Sequence, residues 1–125
     1  MKKNRTHVPA LLMAMTFLFL SSLSLAAENV SGQQLYEVYC AQCHGLEGDG
    51  FGVNAYDMDV APRDHTDTSE MMARTDADLF KAIKFGGKAV NKSILMPNWD
   101  SNMNDAEINL VVGYLRELCC EDLAE

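Results

Sequence analysis

The chain has 125 residues, a length that points to one domain. It carries 18 acidic against 10 basic residues, a formal net charge of −8 at pH 7. Such a surface repels nucleic acid and anionic membranes and favours a partner with a basic docking patch.

The N-terminal residues read as a leader rather than as part of the fold. Lys2, Lys3 and Arg5 precede an apolar run from Val8 to Leu20, and small residues follow at Ser24-Leu25-Ala26. That order is expected of a secretory signal peptide over residues 1–26, cleaved after Ala26. The apolar run is short for a membrane span, which needs about 20 residues. The expectation is export to the periplasm, with no stable membrane insertion after cleavage. Residues 27–125 would then be the functional domain, with 18 acidic and 7 basic residues and a net charge of −11. It would keep Cys40, Cys43, Cys119 and Cys120, and export makes disulfides permissible.

Asn29 to His44 reads as a helix. Ser31 is its expected N-cap, and Leu35, Val38, Tyr39, Cys40 and Cys43 recur at helical spacing. Gly32 and Tyr36, four apart, share one face. A glycine inside a helical pattern costs about 1 kcal/mol against alanine, so close approach of a second helix is one reason for it.

The helix closes on Cys40-Ala41-Gln42-Cys43-His44, a C-x-x-C-H pentapeptide. This is the attachment signature of a c-type haem. Two thiols can add to the two vinyl groups of the macrocycle, and the next residue, His44, is then placed to bind the iron. C-x-x-C alone also serves thiol oxidoreductases and zinc sites. The added histidine narrows the choice.

Residues 45–52 contain four glycines in eight positions, a turn-rich loop. It is no phosphate cradle, since no Lys-Ser/Thr follows and Glu47 and Asp49 would repel an anion. Asn54 to Ser69 has no clear period and reads as a long ordered loop. Within it Arg63 can pair with a haem propionate or stand in solvent. His65 lies in the polar run Arg63-Asp64-His65-Thr66-Asp67, where a solvated histidine is expected.

Ser69 to Arg74 reads as a short helical turn. Thr75 to Asp78 caps a firmer helix with Leu79, Phe80 and Ile83 inward, and Gly86-Gly87 ends it. Lys88 to Asn102 is irregular and holds Met96-Pro97-Asn98-Trp99. Asn104-Asp105-Ala106-Glu107 caps the last helix, whose Ile108, Val111, Val112, Leu115 and Leu118 form an apolar stripe. Three to four helices are expected, with no strand, repeat or low-complexity segment.

Iron bound by His44 has one open axial position. A methionine thioether suits it, and His/Met ligation raises the potential into an electron-transfer range. The candidates after the leader are Met58, Met71, Met72, Met96 and Met103. Met96 is preferred because it lies outside the helices and Pro97 stiffens the backbone after it. Met71 and Met72 are expected in helix core. His65 is the competing ligand.

The pattern Gly32-x-x-x-Tyr36-x-x-x-Cys40-x-x-Cys43-His44-Gly45, the glycine-rich loop, Met96-Pro97-x-Trp99 and the terminal Val111-Val112-Gly113-Tyr114-Leu115-Arg116 resemble the class I c-type cytochromes. More narrowly, the chain resembles small periplasmic monohaem cytochromes and the cytochrome domains of respiratory oxidases. The resemblance covers nearly all of residues 27–125. It implies an all-α cytochrome c fold around one covalently attached haem c, with long ordered loops. It implies that Gly32 and Tyr36 meet Val111, Tyr114 and Leu115, and that the Pro62 carbonyl accepts the His44 Nδ1 proton. It also implies that Trp99 donates a hydrogen bond to a propionate. Cys119-Cys120 departs from the family pattern; adjacent cysteines can close a small ring, pair between chains or stay reduced.

The expected job is single-electron transfer between respiratory or dehydrogenase partners, not catalysis, by a monomer or a subunit of a larger complex. Competing expectations are a gas sensor with a displaceable Met96 and a thiol–disulfide oxidoreductase using Cys40 and Cys43.

Overall fold

The computed structural model describes residues 29–120, so the expected leader lies outside the described residues. Among the described residues five α-helices follow in order: α1 (Gly32–Tyr39), α2 (Ala41–His44), α3 (Thr68–Met72), α4 (Asp76–Phe85) and α5 (Asp105–Cys120). Short 3-10 turns stand at Ala55–Asp57 and Gly87–Val90, and no strand occurs among the described residues. The expected all-α class is what the chain adopts.

Helix starts follow the cap chemistry. The Ser31 hydroxyl accepts from the Gln34 N–H, and the Gln34 side chain returns the bond to the Ser31 N–H. Thr75 and Asp78 form the same reciprocal pair before α4. Each pair satisfies N–H groups that have no partner in the first turn. The expected single helix from Asn29 to His44 is interrupted: Cys40 (φ −115°, ψ −38°) ends α1 and α2 restarts at Ala41.

The core lies where α1 crosses α5. Tyr36, Ile108 and Val111 are fully buried there, with Leu35, Val112 and Leu115 beside them. Gly32 makes the crossing possible, because a methyl group built on it would overlap the Leu110 carbonyl of α5. The Tyr36 and Tyr114 rings meet edge-on with centroids 5.3 Å apart. Helix α4 packs on α5 through Leu79 and Ile83, while Phe80 is only half-buried. Leu118 is likewise half-buried, and Cys119 takes the buried position at that end of α5.

Two side chains, Arg116 of α5 and Thr68 of α3, tie these helices together. The Arg116 guanidinium donates to the Met71 and Arg74 carbonyls at 2.8 and 2.6 Å and to Asp76 at 2.8 Å. The Thr68 hydroxyl donates to the Cys119 carbonyl at 2.6 Å. Met71 is fully buried, but Met72, also expected in the core, is 58% exposed. Helix α3 is only five residues long, so it turns one face inward and Met72 falls on the other. Cys119 and Cys120 are joined to each other by a disulfide.

Candidate haem site

A cavity of about 950 Å3 opens between α1, α4, α5 and the two long loops. Protein interiors pack as densely as organic crystals, so a chain this small does not leave such a space as an ordinary void. Cys40, Cys43 and His44 line it, as do Met96 and Trp99, and its floor is apolar, with Leu79, Ile83, Val111 and Leu115. Cys40 and Cys43 are unpaired thiols, half-buried. Burial, and then the neighbouring Cys43, pushes the Cys40 thiol up to about 12. It is therefore held neutral. A thiol–disulfide oxidoreductase needs the opposite, a depressed thiol pKa that supplies thiolate at neutral pH.

His44 is set by two features. Its Nδ1 lies 2.9 Å from the Arg63 carbonyl. A carbonyl only accepts, so Nδ1 carries the proton and Nε2 keeps its lone pair. That is the tautomer a metal requires, and such a bond also fixes the ring direction. Burial pulls the His44 pKa below its ordinary value, which keeps the ring neutral. The donor set thus fits a haem: two thiols, an imidazole with a free nitrogen, a thioether and an apolar floor.

The carbonyl that accepts from His44 belongs to Arg63, not to Pro62 as the resemblance implied. Pro62 does line the cavity, but its carbonyl faces Gly50, 3.0 Å from where a Cβ would stand. The next carbonyl along the loop, that of Arg63, is the one turned to His44. Gly50 has φ +85°, a conformation side chains rarely adopt, and its N–H donates to the His44 carbonyl at 2.8 Å. The glycine-rich loop is thereby folded between the pentapeptide and residues 62–65.

Arg63 also lines the cavity, but its guanidinium pairs with Glu70. Glu70, a carboxylate seven residues on, is the partner the guanidinium takes here. Trp99 lines the cavity with its ring 5.2 Å from that of Tyr39, and its backbone N–H donates to the Ile83 carbonyl at 3.1 Å. Met96 is half-buried on a loop pinned to α4 through this bond and to the 3-10 turn after it through the Gly87 N–H, which donates to the Met96 carbonyl at 3.0 Å. Of the other methionines, Met58 and Met71 reach the cavity, while Met103 is buried in the core.

His65 departs most from expectation. It is 8% exposed rather than solvated, and its ring stacks on that of His44 with centroids 4.3 Å apart and planes 17° off parallel. Rings stacked face to face cannot grip one iron from opposite sides. That geometry removes His65 as the competing axial ligand. Burial, followed by the nearby His44 and Arg63, lowers its pKa to about 3. No periodicity marked it, because a polar run hides one inward-facing member.

A family model described as "Cytochrome C oxidase, cbb3-type, subunit III" matches residues 27–115. No curated protein matches the chain. Among solved structures, the chain is similar to the KustC0563 c-type cytochrome, at 20% identity and a TM-score of 0.58, covering 72% of this chain and 99% of that one. It is also similar to a chain of the Kuenenia stuttgartiensis reducing HAO-like protein complex Kustc0457/Kustc0458, at 26% identity and a TM-score of 0.59. That match covers 75% of this chain and 44% of the other.

Proposed function

The chain belongs to the c-type cytochrome family that this cbb3-type subunit III model describes, and from that premise we propose that it is a periplasmic electron carrier with one haem c. Cys40 and Cys43 would hold the haem covalently, and His44 and Met96 would bind its iron. When bound, the haem supplies a one-electron Fe(III)/Fe(II) couple.

The chain's own residues account for the rest. The Arg63 carbonyl keeps the proton on His44 Nδ1 and so leaves Nε2 free for the metal. The apolar floor of Leu79, Ile83, Val111 and Leu115 excludes water, which favours the less charged, reduced state. With His44 and Met96 both committed to the iron, no site would be left for a substrate, and the role would be transfer rather than catalysis. The excess of acidic residues would speed docking to a basic redox partner and make the rate fall with salt. Export and removal of residues 1–26 belong to the same reading.

The observation that carries it is the apolar cavity of about 950 Å3 lined at once by two free thiols, His44 and Met96. Absorption spectra of the purified protein test it. A reduced α band of covalent haem is expected, with a weak far-red band from the Met96 sulfur in the oxidised form. Absence of both bands overturns the reading; retention of the far-red band in Met96→Ala overturns the ligand assignment.

A second reading, a haem subunit of a larger respiratory complex, draws support from the oxidase-subunit family model and from the similar chain that belongs to a complex. Co-purification from the periplasm in a stoichiometric complex would favour it over the free shuttle.

A further inference from the structure

The face of His44 is occupied by groups that the proposed ligation leaves without a role. His65 sits two residues beyond Arg63 on the same loop. The Arg63 carbonyl holds the edge of the His44 ring at Nδ1, while the His65 ring lies against its face at 4.3 Å. A single hydrogen bond at one nitrogen leaves the ring free to rock about the Nδ1···O line. A flat group against the face stops that rocking.

His65 is itself fixed. The Tyr36 hydroxyl lies 3.1 Å from the Gly45 carbonyl and 3.3 Å from His65 Nδ1. Tyrosine has one proton, and the carbonyl can only accept. Both contacts are therefore satisfied together only when Tyr36 donates to Gly45 and His65 Nδ1–H donates to Tyr36. The His65 backbone N–H donates to the Gly48 carbonyl at 2.6 Å. Tyr36 is fully buried in the α1–α5 core, so the chain of bonds runs from that core to the residue next to His44 and to the ring stacked on it.

Resting on the proposed His44 ligation, we propose that His65 is a positioning residue, clamped by Tyr36, whose ring fixes the plane in which the His44 imidazole meets the iron. It binds no metal itself. Groups that set the orientation of a metal-bound histidine tune the metal, and here the setting comes from a ring face as well as a carbonyl.

The test is the proton NMR spectrum of the oxidised holoprotein, in which the shifts of the four haem methyls report the orientation of the axial imidazole. His65→Phe keeps a flat ring that has no polar nitrogen and so needs no bond to Tyr36, whereas His65 without Tyr36 is left with a buried, unpartnered Nδ1–H that must turn to find an acceptor. His65→Asn keeps a donor for Tyr36 and loses the ring. The expected result is a wild-type order and spread of methyl shifts in His65→Phe, and a reordered or compressed pattern in His65→Asn with the far-red band retained. A wild-type pattern in His65→Asn, or equal change in both, overturns the proposal. If His65→Asn does not assemble with haem, Tyr36→Phe decides. It must alter the pattern when His65 is present and leave it unchanged in the His65→Phe background; an unaltered pattern with His65 present overturns the proposal. A wild-type protein lacking shifted haem methyls would overturn the haem reading instead, so the two failures are distinct.

Discussion

His44 and Met96 line one cavity, yet the chain holds them by different means. His44 is caught at its ring, with a carbonyl on Nδ1, a second imidazole on its face, and glycine-loop bonds on the backbone at either side. Met96 packs half-buried against the core, but its hydrogen bonds are to its backbone alone, and the residues before it, Ile94 and Leu95, are 77% and 51% exposed. Few buried contacts and exposed backbone bonds mark a segment that opens at low free energy. The comparison assigns rigidity to the histidine side and exchange to the methionine side.

The largest test removes what both sides face. Cys40→Ala with Cys43→Ala should yield no covalent adduct. Without the haem the apolar side chains of Leu79, Ile83, Val111 and Leu115 that line the cavity would face water, so the haem-free chain should lose its cooperative thermal transition. A sharp, wild-type-like melt by circular dichroism would show that the fold does not depend on the cofactor.

Next in size is Met96→Ala. It should keep the haem, lose the far-red band and bind carbon monoxide readily, at a stability cost below the ~2–5 kcal/mol of a fully buried methionine, since Met96 is half-buried. His44→Ala should instead fail to accumulate holoprotein. Equal yields for the two variants, measured by haem stain of periplasmic extracts, would erase the asymmetry.

A subtler probe is pH. His65 is held neutral when folded, with a pKa lowered to about 3, against an ordinary 6.5 when unfolded. Between those values the unfolded chain binds the extra proton, so stability is fully present above pH 6.5 and declines as pH falls towards 3. Asp67 and Asp78, lowered by hydrogen bonds, lose their contribution only below their ordinary 3.8. Denaturant midpoints should fall from pH 6.5 to pH 4 in wild type and fall less in His65→Phe.

The smallest effect lies far from either ligand. The Cys119–Cys120 disulfide joins adjacent residues. Closing so short a loop removes little chain entropy, about 1 kcal/mol. Mild reduction should shift the melting temperature by only a few degrees and leave the absorption spectrum unchanged.

Much of this was legible beforehand because it is local. Ser31 and Thr75 announce their helices by side-chain chemistry three residues deep, and the stripe on α5 announces its buried face. Gly32 hinted at the crossing, since little else justifies a glycine there. What escaped notice depends on partners distant in sequence. Whether Pro62 or Arg63 offers its carbonyl is a matter of one residue's register in a loop without period. His65 is polar among polar neighbours, and only Tyr36 and His44, brought together in space, make it a core residue. The guanidiniums of Arg63 and Arg116 likewise chose partners that no spacing rule names.

The most direct test is the intact mass of the exported protein under denaturing conditions, which strips any group not covalently held. The expected value exceeds that of the polypeptide by one iron porphyrin, and the excess should vanish in the double Cys40/Cys43 variant. A bare polypeptide mass in the wild type would contradict the account at its root.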